Sequence, residues 1–270
     1  MKDNKFEITG AALKWIAIIT MVIDHIGATV MDMYLAYSDG AYYDLVFQLD
    51  HIFRSIGRLA FPIFIFLMVE GFFYTHDRRK YFLRMLLFSI ISEIPFDLAF
   101  NQGIGTDGRP TFTLLEFEYQ NVFFTLTLGF LTIWLCETIT NYCDNKMAAC
   151  REAGQVYGGY FSLKLIGLVV TVVGLCVLAE FMETDYNSMG VLAIFVCYLV
   201  KKMGGSYQLM MAATVIILIL LAPSELPALV DVALVVFYRG SKGKNINKWF
   251  FYLFYPLHLA ILGIIDIIVF

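Results

Sequence analysis

The stretch FRSIGRLAFPIFIFLMVEGFFYT, residues 53–75, decides the fold of this chain. It is long and apolar enough for a membrane-spanning helix, which needs about 20 mostly apolar residues. Arg54 and Arg58 are four residues apart and so lie on one helical face, while Glu70 lies deep in the apolar run. A charge inside a bilayer costs about 2.5–3.5 kcal/mol on insertion scales, so such side chains usually face a protein interior or a water-filled cavity. Three of them on one helix predict a polar site embedded in the membrane.

The composition of the whole chain agrees with this interpretation. Of the 270 residues, 60% are hydrophobic and 16% are charged, whereas soluble domains run nearer to 45–50% apolar and about 25% charged. We therefore predict an all-α, polytopic transmembrane bundle that forms one integral membrane domain over residues 1–270, with a polar N-terminal segment at 1–10. The five cysteines are odd in number and form no CxxC pair, so we expect neither a disulfide framework nor a metal site.

The apolar runs fit about nine spans, within a range of eight to ten. They are predicted at about 11–34, 53–75, 81–100, 121–140, 161–182, 189–200, 207–221, 226–238 and 249–270. The seventh and eighth runs are short and are separated by APSELP. Two full crossings and a partly re-entrant hairpin therefore both stay open for this part of the chain.

Charge sorts the predicted loops into two sets. The first set, which holds most of the Lys and Arg, comprises residues 1–10, 76–80, 142–160, 201–206 and 239–248. The second set, in which Arg109 stands against nine acidic residues, comprises residues 38–52, 101–120, 183–188 and 222–226. The two sets alternate if there are nine spans. The positive-inside rule then places the N-terminus in the cytoplasm and the C-terminus outside.

Titratable groups from three spans are predicted to share one depth. At a rise of 1.5 Å per residue, His25, Glu93 and His258 each lie roughly 15 Å beyond a basic residue near the cytoplasmic end of their helix. Either histidine alone would more often be a satisfied core residue than a functional one. Two histidines at equal depth beside carboxylates favour a functional site.

The outer half of the same region combines charges of both signs. Glu93 and Asp97 are four residues apart on one face, so we expect them to neutralise Arg54 and Arg58. A purely structural ion-pair network stays an alternative, because buried charges need partners whatever their function. Glu70 is predicted to lie nearer to the cytoplasmic side.

Several motifs occur together in a fixed order along the chain. They are DHIG (24–27), GRLAFPIF (57–64), SEIPFDL (92–98), NVFFTLTLGFL (121–131) and YPLHL (255–259). On these motifs the chain resembles the TraX family of integral membrane proteins, over most of residues 11–131 and the last span. The resemblance implies a transmembrane acyltransferase of the bacterial cytoplasmic membrane, which transfers acetyl from cytoplasmic acetyl-CoA to an acceptor reached through the membrane.

The residues suggest roles for such a reaction. Histidine is suited to take the proton of an amine or hydroxyl acceptor, since its unperturbed pKa is about 6.5. We expect His25 to be this base, with Glu93 or Asp24 holding its tautomer, and His258 to be its rival or a second proton carrier. The groups expected to bind the acceptor or stabilise the oxyanion are Arg54, Arg58, Asp97 and Glu70.

Coenzyme A carries several phosphates, so its site should be a basic cytoplasmic mouth. The residues predicted to form it are Arg78, Arg79, Lys80 and Arg84, with Lys201, Lys202, Lys242 and Lys244 adding to this surface. The acceptor stays open among a protein N-terminus, a glycan, a lipid and a small amine. The basic residues are scattered over short loops, so no nucleic-acid partner is expected. A homodimer stays possible through the small residues of GLVVTVVG.

Two other classes of protein fit the same residues. Histidines and carboxylates at the midplane also describe a proton-coupled small-molecule transporter. The sequence has no inverted repeat, which weakens that interpretation. The third possibility is a non-catalytic membrane subunit of a conjugation or secretion system.

Overall fold

The structure is a computed structural model that describes residues 7–38, 40–104, 110–114, 116, 118–244 and 247–270. Its one described sheet is a small antiparallel hairpin in which β1, Gln102–Ile104, pairs with β2, Pro110–Phe112. In its register Gly103 lies opposite Thr111. The other regular elements of the described residues are helices, so the predicted all-α class is confirmed.

The first helical segment runs without a break from Gly10 to Tyr37. Helix α1, Gly10–Ile26, begins after Thr9, whose hydroxyl accepts a hydrogen bond from a backbone N–H of the first turn. A π-helical turn, Gly27–Met31, then leads into α2, Asp32–Tyr37. Such turns are rare inside α-helices and are frequent at functional sites. This segment corresponds to the first predicted span.

The second segment, Tyr43–Tyr74, contains α3, Tyr43–Gly57, and α4, Ala60–Tyr74. The helix is interrupted at Arg58 because Pro62 has no N–H to donate to the Arg58 carbonyl four residues back. The sequence placed residues 43–52 in a loop, and this was wrong. That stretch is amphipathic, with polar and apolar residues at helical spacing, so it forms a helix although it is too polar to be read as a span.

The remaining helices follow the predicted order. They are α5 Arg78–Phe100, α6 Val122–Glu152, α7 Gly158–Phe181, α8 Asn187–Lys202, α9 Tyr207–Leu221, α10 Leu229–Val236 and α11 Lys248–Val269, with a 3₁₀ segment, Pro223–Ala228, between α9 and α10. Helix α6 is longer than its predicted span, because much of the predicted polar linker 142–160 continues the helix.

Five segments of the described chain are long and apolar enough to cross a membrane, by length and composition. They are Gly10–Tyr37, Tyr43–Tyr74, Val122–Glu152, Gly158–Phe181 and Trp249–Val269. The prediction of a polytopic helical membrane protein is therefore confirmed. The number of nine spans stays a prediction.

Helix α4 is the centre of the bundle. Ten of its 15 residues are buried, and it packs against α1, α6, α8 and α9. Helix α7 is its opposite, because Ala179 is its single buried residue. A helix that is apolar all round and yet exposed is expected to face lipid. The apolar part of residues 53–75 thus provides the innermost helix, and α7 is peripheral.

The basic loops gather at one end of this bundle. The backbone N–H of Ile8 donates to the carbonyl of Phe237 at 3.0 Å, so the N-terminal segment lies beside the loop before α11. Lys242 of that loop lies 5.4 Å from the ring of Tyr74, at the end of α4. We call this the basic end. Its contacts confirm that loops of the first charge set lie together.

The acidic loops gather at the other end, which we call the acidic end. The N–H of Gln120 donates to the carbonyl of Glu183 at 3.0 Å, and the N–H of Asp185 donates to the carbonyl of Gln120 at 2.9 Å. The loops before α6 and before α8 are therefore joined. Asp39, Asp107 and Arg109 of this set lie outside the described residues. The orientation of the two ends in a membrane stays a prediction.

Candidate functional site

Two histidines from opposite ends of the chain meet inside the bundle. Nδ1 of His25, near the end of α1, lies 2.7 Å from Nε2 of His258, in α11. The two rings are nearly parallel, at 5°, with centroids 5.0 Å apart. His258 is only 7% exposed. The contact agrees with the equal depths that helical rise predicted, and we call this pair the histidine dyad.

The dyad is surrounded by aromatic rings. His25 makes edge contacts with Phe100 at 5.3 Å and with Tyr255 at 6.1 Å. His258 stacks on Phe254 with centroids 5.2 Å apart, and its Nδ1 lies 2.9 Å from the Phe254 carbonyl oxygen. The imidazoles therefore lie in a largely apolar setting, and three of their four ring nitrogens contact one another or the Phe254 carbonyl.

Asp24 forms an ion pair with Arg54 and does not bond to the neighbouring His25 in the described contacts. Its Oδ2 lies 2.8 Å from Nη1 of Arg54. The pair sits where α1 crosses α3, and the crossing is so close that a Cβ on Gly57 would lie 2.1 Å from Oδ1 of Asp24. The expectation that Asp24 holds the tautomer of His25 was therefore wrong. In the described contacts that partner is His258.

Arg58 finds its partner in a segment that the sequence treated as an outer loop. Its Nη1 lies 3.0 Å from Oε1 of Glu225 in the 3₁₀ segment, and the Glu225 side chain is 2% exposed. Nearby, Tyr186 stacks on Phe61 with centroids 3.6 Å apart. Arg54 and Arg58 thus stay near one another, each with its own carboxylate.

Asp185, in the turn between α7 and α8, lies on the edge of this charged region. The Tyr119 hydroxyl donates to its Oδ1 at 2.6 Å. Burial raises the pKa of Asp185, and this effect is opposed by the Tyr119 hydrogen bond and by the charges of Arg58 and Arg54. A partly desolvated carboxyl therefore borders the two arginines from the acidic end.

Glu93 and Asp97 accept hydrogen bonds from the loop before α6 and from the residues that flank the end of α5 and the start of α6, and in the described contacts they do not pair with Arg54 or Arg58. Oε1 of Glu93 accepts from the backbone N–H of Asn121 at 3.0 Å and from its side-chain amide at 2.5 Å. Asp97 accepts from the N–H of Glu116 at 2.7 Å and from the amide of Asn101 at 2.9 Å.

The predicted Arg54/Arg58 to Glu93/Asp97 network was thus wrong. The start of α6 and the loop before it supply N–H donors on the face of α5 that carries both carboxylates, and these donors take up the carboxylate oxygens. Glu93 is likewise bonded to Asn121 and not to His25 in the described contacts.

Glu70 belongs to the basic end. Its Oε1 lies 2.6 Å from Nζ of Lys201, and the side chains of the two are 6% and 20% exposed. Lys201 also lies 4.6 Å from the ring of Tyr207. The structure therefore confirms that Glu70 lies toward the basic side, but it does not bring Glu70 to Arg54 and Arg58.

The predicted coenzyme A residues lie in the first turns of α5, at the basic end. The guanidinium of Arg78 lies 4.1 Å over the ring of Phe72, and that of Arg84 lies 5.7 Å from Tyr81. Arg79 is exposed, and Lys80 pairs with Asp77 at 3.0 Å. Of the four, Arg78 and Arg84 turn toward the bundle, whereas Arg79 and Lys80 face outward.

Sequence reasoning missed Glu225, Asp185 and Asn121. The first two were counted as loop charges on the outer side, and a count of charges per loop does not show which loops fold back onto a span. Asn121 at the start of the fourth predicted span had a usable signal, since asparagine is a favoured N-cap residue. Among the described residues, no three His, Cys, Asp or Glu side chains are grouped to hold a metal ion.

Comparison with known proteins adds an independent observation. The family model described as TraX protein matches residues 9–266. The chain is 29% identical over 278 residues to the protein named probable fimbrial assembly protein FimC, serogroup H1, of Dichelobacter nodosus, and the match covers 96% of each. It is 28% identical over 187 residues to uncharacterized protein RP591 of Rickettsia prowazekii (strain Madrid E), with 68% of this chain and 60% of that protein covered. No solved structure matches significantly.

Proposed function

The chain belongs to the TraX family, and from this premise we propose that it is a membrane-embedded acyltransferase. It transfers acetyl from cytoplasmic acetyl-CoA to an amine or hydroxyl of an acceptor that is reached through the membrane. Its location is the bacterial cytoplasmic membrane. The observation that supports the proposal most is the histidine dyad, a proton-accepting group held among apolar helices beside two arginines.

The proposed reaction uses the dyad as a general base. The imidazole of His25 removes a proton from the acceptor while the acceptor nitrogen or oxygen attacks the thioester carbonyl. The tetrahedral intermediate collapses, the carbon–sulfur bond breaks, and the coenzyme A thiolate leaves and takes up a proton. A well-placed base of this kind contributes roughly 10²–10⁴-fold to the rate. The apolar surroundings of the dyad favour a neutral imidazole, which is the form that this step requires.

Arg54 is the proposed partner for the negative charge that develops. It is joined to Asp24, the residue next to His25, and its side chain is 33% exposed, so part of the guanidinium stays accessible. Preorganised positive groups stabilise an oxyanion more than the ground-state carbonyl. Arg58 is more fully engaged with Glu225, which suits it to shape the site or to bind an anionic group of the acceptor.

The donor would bind at the basic end. Lys201 and Lys242 lie over the rings of Tyr207 and Tyr74, and Arg78 lies over Phe72 on the same side of the bundle. Cations of this kind suit the phosphates of coenzyme A, which Lys and Arg bind by charge-assisted hydrogen bonds.

Calorimetry of acetyl-CoA with the purified protein in detergent tests the proposal. We expect micromolar binding to the wild type and to His25→Ala, and loss of binding in the Arg78→Ala/Arg79→Ala double variant. Transfer of radiolabelled acetyl into membranes of the source organism should be lost in both variants. Folded protein that binds no acyl-CoA would overturn the proposal and would favour the transporter instead.

A non-catalytic role is the second candidate, and one observation favours it. The Dichelobacter nodosus relative, which matches almost end to end, carries the name of a probable fimbrial assembly protein. A membrane subunit of such a system would need the fold but not the base. Full complementation of an assembly defect by His25→Ala would support this candidate.

A further inference from the structure

We infer that the two histidines have unequal roles: Nε2 of His25 accepts the substrate proton, and His258 is a positioning residue that holds His25 in the tautomer leaving that nitrogen free. The inference rests on the proposed function for the reaction it serves. Its structural part, the proton placement within the dyad, stands on hydrogen-bond geometry and on the cost of burying a charge, and does not depend on the reaction.

The carbonyl of Phe254 fixes the position of the first proton. A carbonyl oxygen only accepts, so Nδ1 of His258, at 2.9 Å from it, carries a proton. A neutral imidazole has one N–H, which leaves Nε2 of His258 as an acceptor. Nδ1 of His25 lies 2.7 Å from that acceptor and must therefore be the donor. Nε2 of His25 is then unprotonated, and it is the one ring nitrogen of the dyad that these two hydrogen bonds leave free.

The opposite arrangement requires a charge. If Nδ1 of His25 accepted the hydrogen bond, both nitrogens of His258 would carry protons and that ring would be an imidazolium. Burying an unpaired charge in an apolar setting is costly, and the carboxylates nearest in sequence or predicted depth are engaged elsewhere. Asp24 pairs with Arg54, and Glu93 bonds to Asn121. The neutral chain that ends at Nε2 of His25 is therefore favoured.

Helix geometry explains why the His258 ring has a fixed orientation and can therefore orient His25. Side chains on a helix lean toward its N-terminus, so an imidazole in α11 can reach the carbonyl four residues earlier. Phe254 also stacks on the His258 ring, with an interplanar angle of 15°. Two contacts to one residue of the same helix thus set the ring orientation before His25 is considered.

This arrangement strengthens at the step where it is needed. When Nε2 of His25 takes a proton, its Nδ1–H bond to His258 becomes charge-assisted, and such bonds are shorter and stronger than neutral ones. An interaction that strengthens only as the reaction proceeds raises the rate and not merely the affinity. His258 therefore acts through His25 without contacting the substrate.

Nitrogen-15 NMR of histidine-labelled protein tests the proton placement directly. The chain has four histidines, and His51 and His76 are exposed. The double variant His51→Gln/His76→Gln leaves only the dyad in the spectrum. We expect both rings to be protonated at Nδ1 and unprotonated at Nε2, with a scalar coupling across the hydrogen bond between them. A spectrum in which His25 is protonated at Nε2 would overturn the inference.

Two substitutions at His258 separate positioning from chemistry. In His258→Gln, the amide oxygen can still accept from Nδ1 of His25, whereas in His258→Phe nothing can. We expect His258→Phe to lower kcat by about 10²-fold with KM for acetyl-CoA unchanged, and His258→Gln to recover most of the loss and to keep the His25 tautomer. A His258→Gln protein that keeps the tautomer and is as inactive as His25→Ala would show that His258 itself carries the proton.

The proposed function and the proton placement in the dyad can fail independently of each other. If no acetyl transfer is found with any acceptor, the proposed function fails while the NMR result still decides the tautomers. If transfer is found and His25 is protonated at Nε2, the proposed function stands and the unequal roles of the dyad do not.

Discussion

At the scale of single residues, Gly57 controls how closely α1 and α3 approach. A Cβ there would lie 2.1 Å from Oδ1 and 2.2 Å from Cβ of Asp24, far inside the roughly 3.5–4.0 Å at which carbon atoms are in favourable contact. The side chain that would have to move is the one that pairs with Arg54. The glycine of the GRLAFPIF motif therefore has a packing role that can be stated without reference to catalysis.

The first prediction follows from this contact. Gly57→Ala should destabilise the protein by about 1–3 kcal/mol, the usual cost of inserting atoms into a packed contact, and should lower the melting temperature in detergent.

The matched control is Gly174→Ala in α7, where an added Cβ meets nothing within 4 Å. Alanine is the better helix former, so this variant should be unchanged or slightly more stable. Equal melting temperatures for the two variants would show that the α1–α3 crossing tolerates the extra carbon.

The second prediction concerns the Arg58–Glu225 pair. Glu225→Gln should cost about 3 kcal/mol of stability, near the lower limit for breaking a buried pair, since Arg58 keeps a 24% exposed side chain. The readout is thermal or denaturant unfolding in detergent. Asp77→Asn removes the charge from the exposed pair with Lys80 but keeps an oxygen that can accept the Lys80 backbone N–H at the start of α5. It is the control, for which little change is expected because exposed pairs contribute little and asparagine is as good an N-cap as aspartate. If the Glu225 variant behaves like the Asp77 variant, the buried pair is not a structural contact.

The sequence predicted the depth of the buried polar side chains better than it predicted their interaction partners. The rise per residue was enough to place His25 and His258 at one level, and they touch. The partners of Arg54 and Arg58 were not predictable in the same way. They depend on the rotation of each helix about its axis and on a 3₁₀ segment that folds back, neither of which is encoded in the spacing along one span.

At the scale of elements, the turn between α7 and α8 carries Asp185, whose pKa is raised by burial. A carboxyl with a raised pKa in the folded state binds its proton more tightly there than in the unfolded chain. The stabilisation that this carboxyl provides is therefore fully present below the pKa that it has in the unfolded chain. It is lost as the pH rises through the higher pKa that it has in the folded protein.

The third prediction tests the direction of this pH dependence with Asp185→Asn. Asparagine does not titrate, and its amide oxygen can still accept from the Tyr119 hydroxyl. As the pH rises above about 4, the ordinary pKa of an aspartate, the wild type should lose stability relative to the variant, because only the wild type must hold a charge at this position. Melting temperatures of both proteins from this pH upward provide the comparison. A difference that is constant with pH, or that changes in favour of the wild type, would contradict the predicted direction.

The ends of elements were harder to predict than their existence. The helix is interrupted between Gly57 and Ala60, and α3 continues on the far side because an amphipathic stretch can be helical without being apolar. Helix α6 likewise extends to Glu152 through residues that hydropathy assigns to a linker. Hydropathy indicates where a helix can meet lipid, and it does not indicate where the helix ends.

At the scale of the whole molecule, described loops of the same charge set contact one another at each end of the bundle. The backbone bonds of Ile8 and Gln120 join loops within each set. Charge counting succeeded here because it needs only the side of each loop. It failed for the ion-pair network, which needs three-dimensional neighbours.

The fourth prediction addresses orientation by cysteine labelling. Val156, in a loop of the first charge set, is 94% exposed, and Tyr42, in a loop of the second charge set, is 67% exposed. In a Cys150→Ser background, Tyr42→Cys should react with a membrane-impermeant maleimide in intact cells, and Val156→Cys should react only after permeabilisation. The reverse pattern would invert the orientation. Labelling of both from one side would contradict the assignment of the two loops to opposite ends.

The π-helical turn at Gly27–Met31 divides the first transmembrane segment into two halves that are out of phase. In this turn the N–H of Asp32 reaches back five residues to the carbonyl of Gly27, so the turn contains one residue more than an α-helix would. One residue corresponds to about 100° of rotation. A helical wheel drawn through the whole segment therefore assigns the wrong faces beyond Gly27. Removal of one residue from the turn would bring the halves into phase, at the expense of turning Asp32 away from the face it now presents.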